Sequence, residues 1–342
     1  MDVIEINNNC DELKKFLSKI ESKIYHTDYY GKFVQEAFNT NYKLISVVKD
    51  KEIKTILPIT EVRSKIFGNK IISTAYLEYG GFCGDKENIN KIIKFLNQKY
   101  KKNNRYLEIR GGCEEFDQEL SKITIKKNLY KRFVLKLENE DIIWRKIQKS
   151  KRKAIKKSLK CLEVKDIPES DLNMLHRLYC KNMKNFGSPP YSKKYFKSFY
   201  KNLVKNNFGK IFGAYHKNKL VSFLLGTCYK DRVHIIIAVS DKKYQQYRPN
   251  DAVHWTFIKW ACENNCKYFD FGRVREDSGQ YEYKRKWGPK LMELPSYFIL
   301  WKEKEIPIVD PKRHQMLVNI WKKLPTVITK LFGPRLRKEL GI

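Results

Sequence analysis

The chain has 342 residues, enough for two domains that each bury their own core. Apolar residues make up 42% and aromatics 13%, which excludes a disordered or low-complexity chain. Seventy Lys and Arg stand against 38 Asp and Glu, and the net charge of +32 favours polyanionic partners such as tRNA, diphosphate-linked sugars or anionic lipid, although a lysine-rich composition raises it without any partner.

The opening MDVIEINNNCDELKKFL has no apolar signal core, and no run approaches the ~20 apolar residues of a membrane helix, so a cytoplasmic protein is expected. Cysteines at 10, 83, 113, 161, 180, 228, 262 and 266 show no Cys-x-x-Cys pairing; no metal is expected, and they read as small buried groups in a reducing compartment.

In chain order, 3–6 reads as a strand and 11–20 and 29–38 as helices, the first with Asp11 placed to cap it. Apolar β-rich runs at 42–48 and 53–60 flank Lys49-Asp50-Lys51-Glu52, a hairpin signal. Glu78-Tyr79-Gly80-Gly81 brings backbone amides near a ligand at Tyr79, 88–101 is an amphipathic helix, and 106–109 the next strand. The basic segment 142–160 predicts a helix with Ile143, Ile147 and Ile155 on its apolar side. Phe186-Gly187-Ser188-Pro189-Pro190 reads as a loop. The order then repeats: strands at 211–215, 220–228 and 233–239, a helix at 252–262 and a strand at 268–271. Lys51 aligns with Asn218 and Tyr106 with Tyr268, about 165 residues apart, which indicates a duplicated unit. His234 and His254 fall within strand and helix patterns and read as structural.

The densest stretch is FDFGRVREDSGQYEYKRKWGP, 269–289. Gly272 is expected to turn the backbone so that Arg273 and Arg275 leave the carboxyl end of a strand, where open α/β sheets place ligands. Tyr281, Tyr283 and Trp287 supply rigid walls and Lys284 a cation suited to a phosphate or a developing oxyanion. A basic surface loop is the plainer alternative. The tail from Asp310 interleaves Trp321, Leu324, Val327, Ile328, Leu331, Phe332 and Leu336 with cations, either to pack on the body of the protein or to make peripheral contact with an anionic membrane at its inner face.

Asp270-Phe271-Gly272-Arg273, followed by Gly279, Tyr281, Tyr283, Lys284, Trp287 and Gly288, resembles the second-domain motif of the Fem-type peptidyltransferases and their FemAB-like relatives, closest to those found beside exopolysaccharide and exosortase genes. The resemblance implies an α/β fold of mixed sheets: two tandem acetyltransferase-like (GNAT) domains at 1–140 and 141–305, no coiled-coil arm, and a basic helical tail at 306–342. It implies transfer of an acyl group, often an amino acid from aminoacyl-tRNA, to an amine on a cell-envelope precursor such as a peptidoglycan-type peptide or a lipid- or nucleotide-linked sugar. Lys284 occupies the position of a functionally important lysine, and Arg152 that of an arginine contacting the substrate diphosphate. Asp270, Gly272, Arg273, Tyr281, Tyr283, Trp287, Tyr247 and Asn250 are the further substrate-binding positions, beside Tyr79. The acceptor site is expected at the domain junction.

Tyr247-Arg248-Pro249-Asn250 matches the family's Tyr-x-Pro-Asn and lacks the glycine turn that cradles a coenzyme A pyrophosphate, so aminoacyl-tRNA is the expected co-substrate, with tRNA and an anionic precursor as partners and no cofactor. No protein partner is inferable. No Ser-His-Asp or Cys-His set stands out, so the acceptor amine is expected to attack the ester directly. Two other readings stand beside this one: an acyl-CoA-dependent N-acyltransferase, and a non-catalytic RNA-binding protein supported by charge alone.

Overall fold

A computed structural model of the chain describes residues 2–6, 11–111, 114–307 and 315–341; Cys10, Cys113 and the start of the tail at 308–314 lie outside them. The chain divides into two units, Met1–Leu129 with Leu294–Pro311 and Arg335–Ile342, and Tyr130–Glu293 with Lys312–Pro334.

The first unit opens with β1 (Asp2–Ile6), α1 (Asp11–Lys19) and α2 (Asp28–Phe38), the last capped by the Thr27 side chain, which accepts from the Tyr30 amide. β2 (Tyr42–Lys49), β3 (Glu52–Val62), β4 (Lys70–Ile72), β5 (Cys83–Gly84), α3 (Ile89–Tyr100), β6 (Tyr106–Arg110) and α4 (Asp117–Ile123) follow. The sheet runs β1-β2-β3-β4-β6, antiparallel except for the parallel β4–β6 pair, with β5 on β3. Ile89, Ile92, Ile93 and Leu96 recur at helical spacing on α3 and pack on Ile45, Leu57 and Leu107 of the sheet, one apolar stripe covering one apolar face.

The second unit contains most of β7 (Ile125–Lys136), then α5 (Glu140–Lys146), α6 (Lys149–Cys161), β8 (Glu163–Asp166), α7 (Leu172–Phe186) and α8 (Lys193–Phe199). β9 (Gly209–His216), β10 (Lys219–Tyr229), β11 (Arg232–Ser240), α9 (Pro249–Glu263), β12 (Tyr268–Val274) and α10 (Gly279–Arg285) complete its centre. After β13 (Lys290–Leu300) come α11 (Gln315–Lys323) and α12 (Thr326–Leu340). Its sheet is β8-β9-β10-β11-β12-β7, again antiparallel except for one parallel pair, β11–β12. Residues Ser296–Leu300 of β13 add to β6 in the first unit, so both sheets have the same order and the same sense of pairing. The duplication read from the sequence is therefore a duplication of topology.

Two hairpins make the repeat visible residue by residue. Asp50 and Lys51 take φ of 52° and 62° between the paired Lys49 and Glu52, and Lys217 and Asn218 take 47° and 63° between His216 and Lys219. Both are two-residue loops with positive φ at both centres, the twist that matches flanking strands.

Three expectations shift. The helix over 142–160 is two helices: Ile147 leaves helical geometry (φ −69°, ψ 133°) because its side chain is buried and the next amide, of Gln148, donates to the Lys286 carbonyl at 3.1 Å. The strand at 268–271 runs on to Val274 through Gly272, which is a bulge (φ +73°) rather than a terminating turn. The stretch after Gly279, for which a surface loop is the plainer alternative, is the short helix α10.

Lysine gains nothing from a left-handed conformation that glycine adopts freely, so Lys51→Gly and Lys217→Gly should each raise unfolding stability by about 0.5–1 kcal/mol, after glycine's greater unfolded-state freedom is subtracted. Chemical denaturation of the two variants checks this.

Candidate active site

Parallel β11 and β12 pair only through Arg232–His234 and Tyr268–Asp270, although β11 continues to Ser240 and β12 to Val274. Ligands in open α/β sheets bind where parallel neighbours part company at their carboxyl ends. At that point β12 is remodelled. Asp270 is fully buried; its Oδ2 accepts from Arg132 Nη1 at 3.3 Å and its Oδ1 from the Gly272 amide at 3.0 Å. The carboxylate thus holds the left-handed bulge, and the register on β7 slips between Asp270 and Arg273. The bulge turns two carbonyls outward, of Gly272 and Arg273, and Lys284 Nζ donates to both at 3.0 and 2.8 Å. This lysine ties α10 to β12.

Beneath α10 lies a group that sequence reasoning missed. Lys151 of α6 is buried and its Nζ lies 2.6 Å from Asp251 Oδ1 on α9. The same ammonium sits 3.6 Å from the centre of the Tyr283 ring and 5.3 Å from that of Trp287. His254, one turn along α9 from Asn250, is enclosed by Phe271, Tyr283 and Trp287 with ring centres 5.9, 5.4 and 5.7 Å away. Its Nδ1 lies 2.7 Å from the Asn250 carbonyl, which only accepts, so the proton is on Nδ1; the Tyr283 hydroxyl is 3.3 Å from the same nitrogen. Burial pushes the imidazole down to about 3, against the Asn250 carbonyl and with help from the charges of Lys151 and Lys284. Burial lowers Lys151, opposed by Asp251, and raises the Tyr283 phenol.

The structure brings some of the expected site residues together and separates others. Tyr283, Trp287, Gly272 and Lys284 meet as described, with Asn250 at the foot of α9, its side-chain oxygen taken by Ser222 Oγ at 3.0 Å. Tyr281 packs edge-on against Phe133 at 5.0 Å. Arg273 and Arg275 lie 4.8 and 5.5 Å from the centre of the Tyr130 ring, and Tyr247 stacks on His216 at 4.4 Å. Arg152 is half-exposed beside the buried Lys151, and its guanidinium has no ion pair among the described residues. Asp270, expected to meet substrate, is wholly enclosed by protein. Tyr79 belongs to the first unit, where its carbonyl accepts from Thr74 and the next two carbonyls, of Gly80 and Gly81, contact Tyr25 and His26 at 3.1 Å. The missed lysine left a signal: Ile147, Lys151 and Ile155 are spaced by four, which puts one lysine on the apolar stripe of a basic helix. Among the described residues no group of three or more His, Cys, Asp or Glu gathers as a metal site.

Residues 145–285 match the family model of an acetyltransferase (GNAT) domain. The crystal structure of FemX superposes with a TM-score of 0.69 at 14% identity, over 93% of this chain and all of that one. The fold is FemAB-like. The C-terminal domain of a putative lysylphosphatidylglycerol synthetase from Agrobacterium fabrum follows with a TM-score of 0.60 at 9% identity, over 91% of this chain and 95% of that one. A tandem GNAT protein from the clavulanic acid biosynthesis pathway superposes at 0.57 and 8% identity, over 89% of this chain and 99% of that one. No curated protein matches by sequence. Within this FemAB-like frame, α9 is the helix that crosses from β11 to β12, and Asp251 and His254 stand on its first two turns with Lys151 of α6 against them.

Lys151→Met strands a buried carboxylate at Asp251 and should cost about 3–5 kcal/mol, most of it recovered in Lys151→Met/Asp251→Leu; denaturant melts of the single and double variants test this. His254 stays neutral when folded and binds a proton when unfolded below its ordinary value of 6.5, so stability present above that pH is lost as the pH falls toward 3. His254→Gln should flatten the decline between pH 6.5 and 4.5, where one extra bound proton sets a slope of at most about 1.4 kcal/mol per pH unit.

Proposed function

We propose that the protein is an acyltransferase that moves an amino acid from aminoacyl-tRNA to an amine on an anionic cell-envelope precursor, working in the cytoplasm where charged tRNA is made. The fold shared with FemX supports the acyl-transfer class. The observation that carries the donor is the start of α9. A coenzyme A pyrophosphate needs free backbone N–H groups there. Pro249, at the first helical position, has none; Arg248 before it is left-handed (φ 54°), and the Asp251 amide already donates to the Arg248 carbonyl at 3.0 Å. A pyrophosphate would find a side-chain cation but a depleted cradle.

In the reaction the acceptor nitrogen attacks the ester carbonyl carbon, the new C–N bond forms as the C–O bond to the ribose breaks, and the proton shed by the amine leaves with the ribose oxygen. The carbonyl oxygen gathers negative charge on the way. Lys284 is the assigned source of compensating charge, held by two carbonyls that orient the ammonium before substrate arrives. Arg152 supplies an uncommitted guanidinium for the precursor's diphosphate, Arg273 a second cation, and Tyr281, Tyr283 and Trp287 the walls that limit water. Tyr247 and Asn250 flank the donor end. The amine needs no covalent enzyme intermediate, since the ester is already activated.

Radiolabelled aminoacyl-tRNA and acetyl-CoA, each offered with cell-envelope precursors, should give label transfer from the tRNA alone; transfer from acetyl-CoA alone would overturn the donor, and binding of tRNA without turnover would leave an RNA-binding protein. Lys284→Met should lower kcat by about 10²–10³ while also costing about 1–3 kcal/mol of stability through the two lost carbonyl bonds, whereas Lys286→Met should do little. Arg152→Ala should weaken precursor binding by about 1.5–3 kcal/mol, read by calorimetry, with the melting temperature unchanged.

A further inference from the structure

α11 and the first turns of α12 meet the body of the second unit through one face each. On α11 that face is Val318 and Lys322: a Cβ built on Gly187 would come within 2.5 Å of Val318 and 3.2 Å of the Lys322 stem. On α12 it is buried Thr329 and Gly333, and a Cβ on Gly333 would come within 2.4 Å of Pro190, three residues beyond Gly187. One loop, 187–190, therefore anchors both helices. With 3.6 residues per turn, the faces turned away from it carry Met316, Leu317 and Ile320 on α11 and Val327 and Leu331 on α12. All five are exposed, Met316 by 75%, Val327 by 76% and Leu331 by 71%.

These side chains are concentrated rather than scattered. Nearly half of the exposed large apolar residues among those described fall within 316–332, a segment that makes up about a twentieth of the chain. The charges around them have one sign: residues 315–334 hold Lys322, Lys323 and Lys330 and no Asp or Glu. None of the three lysines has an acidic partner among the described residues. No described helix is long and apolar enough to cross a membrane. An apolar face edged by unpaired lysines complements a surface that is anionic outside and apolar just beneath, which is a bilayer of anionic lipid. A second copy of this chain fits poorly, because its net charge of +32 repels its like.

We propose that the outward faces of α11 and α12 dock on an anionic bilayer, with the five apolar side chains at headgroup depth and Lys323 and Lys330 on lipid phosphates. Docking of this kind concerns where the protein works and is independent of which donor it uses. It holds the second unit at the surface on which lipid-linked precursors reside.

The test is cosedimentation of the full chain with vesicles of phosphatidylglycerol and phosphatidylcholine, against vesicles of phosphatidylcholine alone. Binding is expected to the anionic vesicles only. Lys323→Gln/Lys330→Gln should lower partitioning by about 25-fold, about fivefold per cation. Leu317→Ser/Val327→Ser/Leu331→Ser should lower it by at least tenfold with charge unchanged, and thermal unfolding checks that both variants fold. A control with the same charge loss elsewhere, Lys49→Gln/Lys65→Gln, should retain most of the binding. An equal loss in the control, or full binding by the serine variant, overturns the proposal in favour of nonspecific charge. A lipid-free dimer in sedimentation equilibrium that the serine substitutions dissolve would overturn it in favour of a second copy.

Discussion

The buried pair of Lys151 and Asp251 is the constraint on which the arrangement of the second unit's site depends. Two charges withdrawn from water carry a desolvation cost that their attraction offsets only in good geometry. Here the contact is 2.6 Å, and the ammonium also faces the Tyr283 and Trp287 rings. One cation therefore joins α6, α9 and α10, three elements far apart in the chain. Because the pair is satisfied only with all three in place, it selects a single arrangement of the aromatic walls. His254 completes it as a neutral group: a third cation beside Lys151 and Lys284 would be repelled, and burial keeps the ring uncharged.

A second buried charge works on the strand side. Asp270 takes a hydrogen bond from the Gly272 amide and an ion pair from Arg132, and in doing so stabilises a bulge that an ordinary strand would lack. The bulge also positions a cation. The Gly272 and Arg273 carbonyls accept from the Lys284 ammonium and hold it in one orientation. A lysine on a flexible stem is thereby preorganised, which is what electrostatic stabilisation of a transient charge requires. Gly288 adds a close approach: its φ is +78° and a Cβ there would lie 2.8 Å from the Lys146 carbonyl, so the loop after α10 presses directly on the break between α5 and α6. The break, the bulge and the buried pair support one another.

The two units share a topology and have diverged in chemistry. Both have a hairpin with two left-handed residues and one parallel strand pair, yet the turn of Tyr79 in the first is filled by its own contacts with Thr74, Tyr25 and His26, while the second has a basic helix with one lysine inside and one arginine half-exposed. Cations spread over the molecule add a long-range attraction for polyanions that raises encounter rates without choosing among them. Local geometry differs as well: the Arg152 guanidinium has no ion pair among the described residues, and at the start of α9 Pro249 has no N–H and the Asp251 amide is taken by the Arg248 carbonyl.

The sequence by itself determined the alternation of strands and helices, the duplicated order, the hairpin turns at Asp50-Lys51 and Lys217-Asn218, and the motif from Asp270 to Gly288, because these rest on periodicity and on residues a few positions apart. It marked the tail as amphipathic from the spacing of Val327, Ile328 and Leu331. The spacing of Ile147, Lys151 and Ile155 marked Lys151 as the inward cation, but only the tertiary structure decided what receives it, since Asp251 lies 100 residues away on another helix. Likewise only the fold made Asp270 a structural carboxylate: its partner Arg132 lies 138 residues away, and burial leaves no face for a ligand. The side chains that build the site are paired across long separations, and electrostatic and packing terms of that kind do not exist until the chain has closed on itself.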